Sequence, residues 1–368
     1  MKIVIPNVAG IGNALMAQPM VRQLKRKRPD AHVIILARIG AIADVFRGLP
    51  EVDETIVTGH GYRAYAKMAR VSRQLKPDLL LIPFPSSRWH YAVLIAASGA
   101  KRAVLHSYPV GYVRGLHFLG GATRVPARRG IHDVEQNLAL LPAAIGDDPD
   151  PPEAPVFPLT AEARRLSASR IGDLPATTRP IVIHAGSANN LLAQSKRWSS
   201  DKYAQLIHEL ARQYGAERIF LVEGPDESGV ADEILKNPPI AMGGLSPRVI
   251  KLSGPLTDAA ALLERAALYV GSDSGLAHLS AAVGTPPVTI FAPADPDRVS
   301  PFGYRHLVVQ TPTSCAPCLQ YPWNSTWPKV LCREPFCVQQ VTVDAVLEKV
   351  RVAMSRTPVL QHHPAVAS

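Results

Sequence analysis

A run of small and polar residues in the C-terminal half gives the clearest chemical signal in this chain of 368 residues. Residues 271–278 read Gly-Ser-Asp-Ser-Gly-Leu-Ala-His, with an apolar run at 266–270 before them and a helical pattern at 279–283 after them. A strand that leads through a tight turn into a helix leaves backbone N–H groups unpaired at the helix N-terminus, where the helix dipole is positive. The sequence therefore predicts an anion site at this turn, and phosphate is the fitting ligand.

A second group of residues suited to phosphate follows another predicted strand. Residues 184–190 read His-Ala-Gly-Ser-Ala-Asn-Asn, and Ser195, Lys196, Arg197 and Trp198 come shortly afterwards. Hydroxyl groups and a Lys-Arg pair beside a strand end favour a diphosphate, because fixed cations and N–H donors stabilise the charge that develops on a departing diphosphate. The alternative is that both cations are solvated loop charges and that the tryptophan packs at the start of a helix.

The first turn of the chain has some features of a dinucleotide site. Residues 9–15 read Ala-Gly-Ile-Gly-Asn-Ala-Leu between a predicted strand and a predicted helix. The third glycine of G-x-G-x-x-G is missing, and no acidic residue clearly ends the second strand. We therefore expect no nicotinamide cofactor, with an NAD-dependent enzyme kept as a third alternative for function. The glycines, Gly12 among them, still allow a backbone or a substrate to approach closely.

The four cysteines lie close together, as Cys315-x-x-Cys318 and Cys332-x-x-x-x-Cys337. In a chain that shows no secretory signal, such clustering favours metal over disulfides. Two close pairs can hold one tetrahedral zinc or iron ion, which would brace the loop and take no part in catalysis. Two disulfides or four unpaired thiols remain the alternatives, since C-x₄-C is not a standard zinc spacing.

The elements that must position these motifs form a regular pattern. Strand and helix patterns alternate on both sides of residues 147–158, a segment rich in proline and acid. Repeated βα units predict parallel, doubly wound sheets. We predict an α/β fold with two Rossmann-like domains that face each other across a cleft and are joined by a stiff linker. The predicted boundaries are 1–150 for the first domain, 151–345 for the second with a cysteine-rich insertion at 312–338, and 346–368 for a C-terminal helix and tail.

The charge balance indicates an anionic partner, because the formal net charge at pH 7 is +10. Basic residues of the first half cluster at 25–28, at 101–102 and at Arg124, Arg128 and Arg129. No recognisable nucleic-acid module accompanies them, so we expect an anionic lipid or a phosphorylated acceptor and no nucleic acid. The alternative for residues 25–28 is that they stabilise the negative end of a helix.

The sequence also bears on location. No apolar run approaches the length of a membrane span. Residues 1–5, followed at once by Pro6, predict a first strand in place of a secretory signal. We expect a cytoplasmic protein, and an anionic lipid-linked acceptor would add peripheral association with the inner membrane.

Four short blocks in a specific order give the chain a family resemblance. They are the loop at 10–15, the segment 132–138 (His-Asp-Val-Glu-Gln-Asn-Leu), the segment 196–198, and Asp273-Ser274-Gly275 with His278. Similarity extends to 252–254 and 291–293, so that it covers nearly the whole chain. With these blocks the chain resembles glycosyltransferase family 9, the ADP-heptose lipopolysaccharide heptosyltransferase family.

The resemblance implies a GT-B fold in which the N-terminal domain holds the acceptor and the C-terminal domain holds the nucleotide sugar. It implies inverting transfer of a heptose, or a similar sugar, from an ADP-sugar to a lipopolysaccharide-core or other glycan or protein acceptor, without an obligatory metal. A related autotransporter heptosyltransferase group has an iron-binding finger where this chain has its cysteines. In the donor site, the resemblance implies that Lys196 and Ser187 contact the phosphates. The backbone N–H groups of Ser274, Gly275 and Leu276 would bind the same phosphates, and Asp273 and His278 would shape that pocket. Glu223 and Asp226 would bind the ribose, unless either of them is an exposed loop charge.

One position departs from the family pattern. Many members have an acidic general base where this chain has Asn13, and an amide cannot accept a proton at neutral pH. Either Asp44, Asp133 or His106 acts as base, or Asn13 only orients the acceptor hydroxyl, or the chain binds without turnover. We favour a relocated base because the donor-side motifs are intact, although Asp133 is also a natural N-cap for its helix.

The predicted function is thus an inverting glycosyltransferase. Two alternatives stay open beside it. One is a transferase of the same fold that uses a different sugar nucleotide. The other is a non-catalytic nucleotide-sugar-binding or assembly protein, as Asn13 suggests.

Overall fold

Each half of the computed structural model contains a sheet of six parallel strands. The structure describes, with the side chain of Tyr62 apart, residues 1–7, 9–59, 61–87, 89–108, 121–172, 179–186, 195–216, 218–224, 227, 229–242, 244, 248–320, 323 and 336–355. Counted within each half, the strand order is 3-2-1-4-5-6 in both sheets, which is the order of a Rossmann fold. The prediction of two Rossmann-like α/β domains is confirmed.

The N-terminal sheet is covered by helices on both faces, which is why its central strands are continuous apolar runs. Helices α1, α2 and α5 pack on one face, and α3 and α4 pack on the other. The strands are β1 (Lys2–Asn7), β2 (His32–Ala37), β3 (Glu54–Val57), β4 (Leu79–Leu81), β5 (Arg102–Ser107) and β6 (Ala122–Pro126). The helices are α1 (Ile11–Lys27), α2 (Gly40–Phe46), α3 (Gly61–Leu75), α4 (Trp89–Ser98), α5 (Asp133–Leu138) and α6 (Leu141–Ile145).

The C-terminal sheet repeats this plan. Its strands are β7 (Ile181–His184), β8 (Ile219–Glu223), β9 (Val249–Ser253), β10 (Leu268–Ser272), β11 (Pro287–Ile290) and β12 (Val308–Val309). Its helices are α7 (Ala161–Ile171), α8 (Ser200–Tyr214), α9 (Val230–Leu235), α10 (Pro238–Ala241), α11 (Leu256–Arg265), α12 (Gly275–Ala282), α13 (Pro296–Val299), α14 (Phe336–Gln339) and α15 (Val343–Ser355). The last helix packs on β11, β12 and α8, so it is part of the second domain.

The acidic, proline-rich segment 147–158 lies along α1, so it is not a free spacer. Gln18 hydrogen-bonds both the backbone N–H and the C=O of Val156, each at 2.7 Å. Gln23 bonds the same two backbone groups of Asp150, at 2.9 and 3.2 Å. Both glutamines are fully buried, and a buried amide needs such partners. These bonds therefore fix the linker to the first domain.

The basic cluster at the end of α1 is neutralised within the protein. The contacts, at 2.6–2.9 Å, are Lys25 with Asp53, Arg26 with Glu153, Lys27 with Asp150, and Arg28 with Asp147. Three of the four carboxylates belong to the linker. These pairs favour an internal role for residues 25–28 over an external anion, and they form because the linker folds back onto α1.

Candidate active site

The N-terminal ends of two helices, one from each domain, meet between the domains. A Cβ added to Gly275, the first residue of α12, would lie 2.9 Å from the Cβ of Ile11, the first residue of α1. A Cβ added to Gly12 would lie 2.7 Å from Cδ2 of His278. Both distances are too short for real Cβ contacts, so glycine is what allows the helices to approach. We call this contact, made of residues 10–13 and 274–278, the junction.

Both helix starts at the junction lack a side-chain cap. Gly10 and Ser274 are the N-cap residues, both in extended conformation, and neither makes a side-chain cap hydrogen bond. No acidic residue lies in the first turn of either helix. The first-turn N–H groups and the positive ends of both dipoles are therefore available at the junction, an arrangement that binds phosphate.

The topology of the second sheet explains why the predicted phosphate turn lies here. The strand order is β12-β11-β10-β7-β8-β9, so the chain changes direction across the sheet between β10 and β7. Loops that follow two such strands diverge, and ligands of open α/β sheets bind in the crevice between them. His184 ends β7 and Ser274 follows β10; the Nδ1 and Oγ atoms of these side chains are 3.1 Å apart.

Lys196 reaches the turn after β10. Its Nζ lies 2.5 Å from Oδ2 of Asp273, and both side chains are largely buried. An ammonium group has three donors, so the contact with one carboxylate leaves donors for an anion at the helix start. The pair also cancels the negative charge that Asp273 would otherwise bring to a phosphate site.

His278 is buried at the centre of the junction, against Gly12. Burial lowers the pKa of its imidazole to about 4, although the charge of Asp273 acts in the opposite direction. The ring is therefore neutral at pH 7. A neutral ring fits a role in shaping the pocket, since it brings no charge of its own.

A second contact between the domains joins the start of α5 to the segment after β11. Arg298 donates to both carboxylate oxygens of Asp133, at 3.0 and 3.1 Å, and both side chains are buried. Nε2 of His132 lies 2.8 Å from the carbonyl oxygen of Ser300. His132, and not Asp133, is the N-cap of α5. The prediction that Asp133 caps this helix is wrong, because the position before it supplies the cap.

The three candidates for a relocated base are all engaged elsewhere. Burial raises the pKa of Asp133 to about 6 against the opposing charge of Arg298, but the carboxylate is held by that guanidinium. The carboxylate of Asp44 lies 2.6 Å from the guanidinium of Arg47, which is three residues further along the chain. His106 is buried, with one ring nitrogen 3.0 Å and the other 2.8 Å from a backbone carbonyl oxygen.

Asn13 lies at the junction, in the first turn of α1, and is half-buried. Among the residues that the structure describes, nothing hydrogen-bonds its side chain. The tertiary structure thus brings together eight predicted residues, which are Gly12, Asn13, Lys196, Asp273, Ser274, Gly275, Leu276 and His278.

Glu223 is not brought to this group. Its carboxylate accepts from the N–H of Ala231 at 2.6 Å and pairs with Lys251 at 2.9 Å, and the side chain is buried. Among the described residues, Glu227 reaches a side chain next to the phosphate turn, since its Oε2 lies 2.8 Å from Nε2 of His184. Neither residue was predicted as part of the site, although His184 ends a predicted strand and Glu227 directly follows Asp226, a predicted ribose ligand.

Three predicted site residues, Ser187, Asp226 and Cys332, lie outside the described residues. Of the other cysteines, Cys315 is exposed, Cys318 is half-buried and Cys337 is buried. Within the described part of the chain, no group of three or more potential metal ligands comes together. Because Cys332 is outside that part, the predicted four-thiol site is left as a prediction.

Comparison with known proteins finds similar sequences and similar folds. The chain is 26% identical over 301 residues to the lipopolysaccharide heptosyltransferase 3 of Escherichia coli, an alignment that covers 77% of this chain and 81% of that protein. Its fold is similar to that of a family 9 glycosyl transferase from Veillonella parvula, with a TM-score of 0.77, 17% identity, and coverage of 97% and 98%. It is also similar to E. coli ADP-heptose lps heptosyltransferase II, with a TM-score of 0.73, 20% identity, and coverage of 96% and 99%.

Fold similarity at such low identity says nothing about the substrate. The family assignment therefore rests on the match of the sequence to a family profile. The profile of glycosyltransferase family 9 (heptosyltransferase) matches residues 95–325, more than half of the chain. The matched range contains the predicted blocks at 132–138, 196–198 and 273–275. The chain therefore belongs to glycosyltransferase family 9, the heptosyltransferases, and its two sheets form a GT-B fold.

Proposed function

We propose that this glycosyltransferase moves a heptose from ADP-heptose to a lipopolysaccharide-core acceptor, with inversion at the anomeric carbon. The observation that carries the proposal is the junction, where two uncapped helix starts and the Lys196 ammonium surround one point between the domains. A diphosphate is the ligand that this arrangement fits. ADP-heptose is the choice among diphosphates because it appears in the name of a solved protein with this fold.

The chemistry asked of the site is stabilisation of the leaving group. As the bond between sugar and diphosphate breaks, negative charge develops on the departing ADP, and N–H donors and a cation that are already in place oppose it. The first-turn N–H groups of α12 and the ammonium of Lys196 supply these contacts. Loss of one such donor typically raises the barrier by about 2.7–4 kcal/mol.

On the acceptor side we propose that Asn13 orients the attacking hydroxyl and that no relocated base acts. Two observations support this over a relocated base. Asp44, Asp133 and His106 are all engaged in internal contacts, and the Asn13 amide has no partner among described residues. An amide oxygen accepts a hydrogen bond without taking the proton, so the proton would leave the new glycosidic oxygen afterwards, to solvent or to the departing ADP.

The donor site is tested with Lys196→Ala and calorimetric titration of ADP. We expect ADP affinity to fall by at least about tenfold, because a hydrogen bond to a charged group contributes about 1.5–3 kcal/mol and Asp273 is left unpaired beside the phosphates. Lys101→Ala is the control, since this lysine pairs with Asp78 and its side chain is 76% exposed. Equal ADP affinity in the two variants would remove Lys196 from the phosphate site.

The reaction is tested by incubating the protein with ADP-heptose and a lipopolysaccharide-core acceptor. Release of ADP together with a heptosylated product is the expected result, and the anomeric proton signal of the product shows whether the configuration is inverted. Release only with another sugar nucleotide would replace the donor. Donor binding without release for any acceptor would support the second candidate, a nucleotide-sugar-binding protein, which Asn13 favours. We expect turnover without added metal.

We further propose that the protein works in the cytoplasm, on the inner-membrane surface, and that α3 and α4 contact the bilayer. None of the described helices is long and apolar enough to cross a membrane. Helix α3 carries no acidic residue, and four cations on it are exposed and form no salt bridge with a described residue, namely Arg63, Lys67, Arg70 and Arg73. On the adjoining α4, Trp89 and Val93 are 46% and 43% exposed.

Sedimentation with vesicles tests this surface. Each basic residue near an anionic membrane contributes about 1 kcal/mol, so Arg70→Glu is expected to weaken binding to phosphatidylglycerol vesicles markedly. Arg165→Glu, on the exposed side of α7 in the other domain, makes the same charge change and should leave binding intact. Equal loss in both variants would mean that only net charge matters.

We also propose that the cysteines hold one structural zinc or iron ion. The supporting observation is the spacing of the two pairs in the sequence. Elemental analysis of the reduced, intact protein is the test, and the expected result is one metal ion per chain that Cys315→Ser reduces. A preparation with four thiols and no metal would end the proposal without affecting the donor site.

A further inference from the structure

The segment 132–138, one of the four blocks of the family resemblance, holds a neighbouring loop in place. Nε2 of Gln136 donates to the carbonyl oxygen of Arg128, and Oε1 of Gln136 accepts from the N–H of Arg128 at 3.2 Å. Gln136 is fully buried, whereas Arg128 and Arg129 are exposed. We call residues 127–130 the arginine loop. One buried amide thus binds both backbone groups of Arg128.

A buried histidine fixes the same loop from the other side. Nδ1 of His106, in β5, lies 3.0 Å from the carbonyl oxygen of Val125 in β6, and Nε2 lies 2.8 Å from the carbonyl oxygen of Gln136 in α5. The N–H of Ala127 donates to the carbonyl oxygen of Ser107 at 3.0 Å. The arginine loop is therefore fixed to β5, β6 and α5 before any ligand binds.

The fixed position of this loop needs a physical reason. Water can bind the N–H and C=O groups of an exposed loop, so these groups do not require a buried side chain. What Gln136 adds is a single position for the loop, and a loop that is already ordered loses less conformational entropy when it binds a ligand. A loop that is held in this way and carries two exposed cations is suited to binding an anion.

The arginine loop lies at the carboxyl edge of the first sheet, on the rim of the cleft. It follows β6 and leads into α5, whose N-cap His132 and first residue Asp133 both contact the second domain. Asn13 lies on the helix that follows β1 of the same sheet. Ligands of open α/β sheets bind outside the carboxyl ends of the strands. The loop therefore borders the space in which an acceptor held by the first domain must lie.

Arg128 is the cation of this loop that is left for a ligand. The guanidinium carbon of Arg129 lies 5.6 Å from the centre of the Trp323 ring, which belongs to the second domain and is 4% exposed. Arg128 forms no salt bridge within the part of the chain that the structure describes. Burial lowers the pKa of the His106 imidazole, and the positive charge of Arg128 acts in the same direction. This charge therefore lies near the carboxyl ends of β5 and β6, where an anionic substituent of the acceptor would pair with it.

The charge of the whole first domain favours the same class of ligand. The excess of Lys and Arg over Asp and Glu that gives the chain its net charge of +10 lies in residues 1–146. An anionic acceptor is therefore attracted to the domain that is proposed to hold it.

We propose that Arg128 binds an anionic group of the acceptor, a carboxylate or a phosphate, and that Gln136 is the positioning residue for this contact. A guanidinium presents paired donors that match either group. The contact selects acceptors that carry an anion near the hydroxyl that receives the sugar. Arg128 therefore determines specificity and takes no part in breaking the bond to the leaving group. The inference rests on the proposed function, because it needs an acceptor in the cleft.

Calorimetric titration with deacylated lipopolysaccharide core, in the presence of ADP, tests Arg128 without turnover and without a membrane. Arg128→Gln is expected to weaken acceptor binding by about tenfold or more, because a hydrogen bond to a charged group is lost, and to leave ADP affinity unchanged. Arg47→Gln is the matched control, since Arg47 is 54% exposed after α2 and pairs with Asp44. Equal acceptor affinity in the two variants, or a loss of ADP affinity in Arg128→Gln, would overturn the inference.

Two treated acceptors identify the anion. Hydrofluoric acid removes phosphate esters from the core, and reduction after carbodiimide activation converts its carboxyl groups into alcohols. The treatment that removes the bound group should lower the affinity of the wild type to that of Arg128→Gln and leave this variant unaffected. A wild type that still binds both treated cores about tenfold more tightly than the variant would show that Arg128 does not bind an anion.

Gln136→Met tests the positioning role, since methionine keeps the unbranched shape and cannot donate to the carbonyl oxygen of Arg128. We expect acceptor affinity to fall by about two- to tenfold, as when one side chain must be ordered on binding. Combining it with Arg128→Gln should cause no further loss, because Gln136 acts only through Arg128. Losses that add in the double variant would overturn the positioning role. If Gln136→Met does not fold, the exposed Arg128 still carries the test.

Sugar transfer and acceptor binding separate this inference from the proposed function. Transfer by the wild type, together with acceptor affinity that does not depend on Arg128, would overturn the inference alone. Binding of the core that depends on Arg128, without transfer of any sugar, would overturn the transferase and support the anion contact. A wild type that does not bind the core at all would overturn both.

Discussion

The contact between Asp133 and Arg298 offers the sharpest test of how the two domains are held together. The pair joins the start of α5 to α13, across a sequence separation of 165 residues. We propose the change Arg298→Met, because methionine keeps an apolar stem beside Phe84, whose ring lies 5.5 Å from the guanidinium carbon. The variant removes the positive charge and leaves the carboxylate where it is.

The expected loss of stability in Arg298→Met follows from the burial of Asp133 and Arg298. The two side chains are 2% and 6% exposed, and burial raises the pKa of Asp133 from 3.8 to about 6 even with Arg298 in place. That shift corresponds to a cost of about 3 kcal/mol for ionising the buried carboxyl, which remains even with the Arg298 guanidinium beside it. Without the guanidinium, the carboxylate must either be ionised and unpaired or take up a proton. Removing one partner of a buried pair typically destabilises a protein by about 3–5 kcal/mol.

Equilibrium unfolding in urea at pH 7.5 measures the effect. Arg305→Met is the matched control, since it removes the same side chain nearby from a pair with Asp297 in which both partners are more than half exposed. Such a surface pair contributes about 0–1 kcal/mol. Adding Asp133→Asn to Arg298→Met should recover most of the loss. If both methionine variants lose the same free energy of unfolding, or the double variant recovers nothing, the buried charge is not the cause.

Three further predictions concern single positions. Gly12→Ala should cost about 1–3 kcal/mol of stability in thermal unfolding and weaken ADP binding, because its Cβ would meet His278, whereas Gly40→Ala, outside the junction, has open space and should change neither. Asp133 binds its proton more tightly in the folded state, so the stability that this proton contributes is full below about pH 3.8 and is lost as pH rises through about 6. The free energy of unfolding should therefore be about 1.4 kcal/mol lower at pH 7.5 than at pH 5. This difference should be absent in Asp133→Asn. Glu223→Gln should lower stability and leave calorimetric ADP affinity unchanged; a tenfold loss of affinity would place Glu223 in the ribose site after all.

Part of the fold could be predicted from local sequence. Continuous apolar runs such as 32–37 are required where helices cover both faces of a sheet, and they identify central strands without further information. Among the elements that escaped this reasoning, two show a physical reason. Strand β6 is a half-exposed edge strand without an apolar run, and α7 buries only Ser167 among its residues, so its polarity hides it from any pattern based on burial.

The candidate site, like the fold, could be predicted from the sequence only in part. The phosphate turn at 271–278 is a local motif, because a strand, a small-residue turn and a helix start follow one another in the chain, and the sequence by itself determined it. Which side chains support that turn was decided only by the tertiary structure. His184 lies 90 residues from Ser274 and 43 from Glu227, and they meet because neighbouring strands of the second sheet bring their carboxyl ends together. The role of Asp133 was likewise decided from the other domain, since burial and Arg298 turned a predicted cap and candidate base into a contact between the two halves.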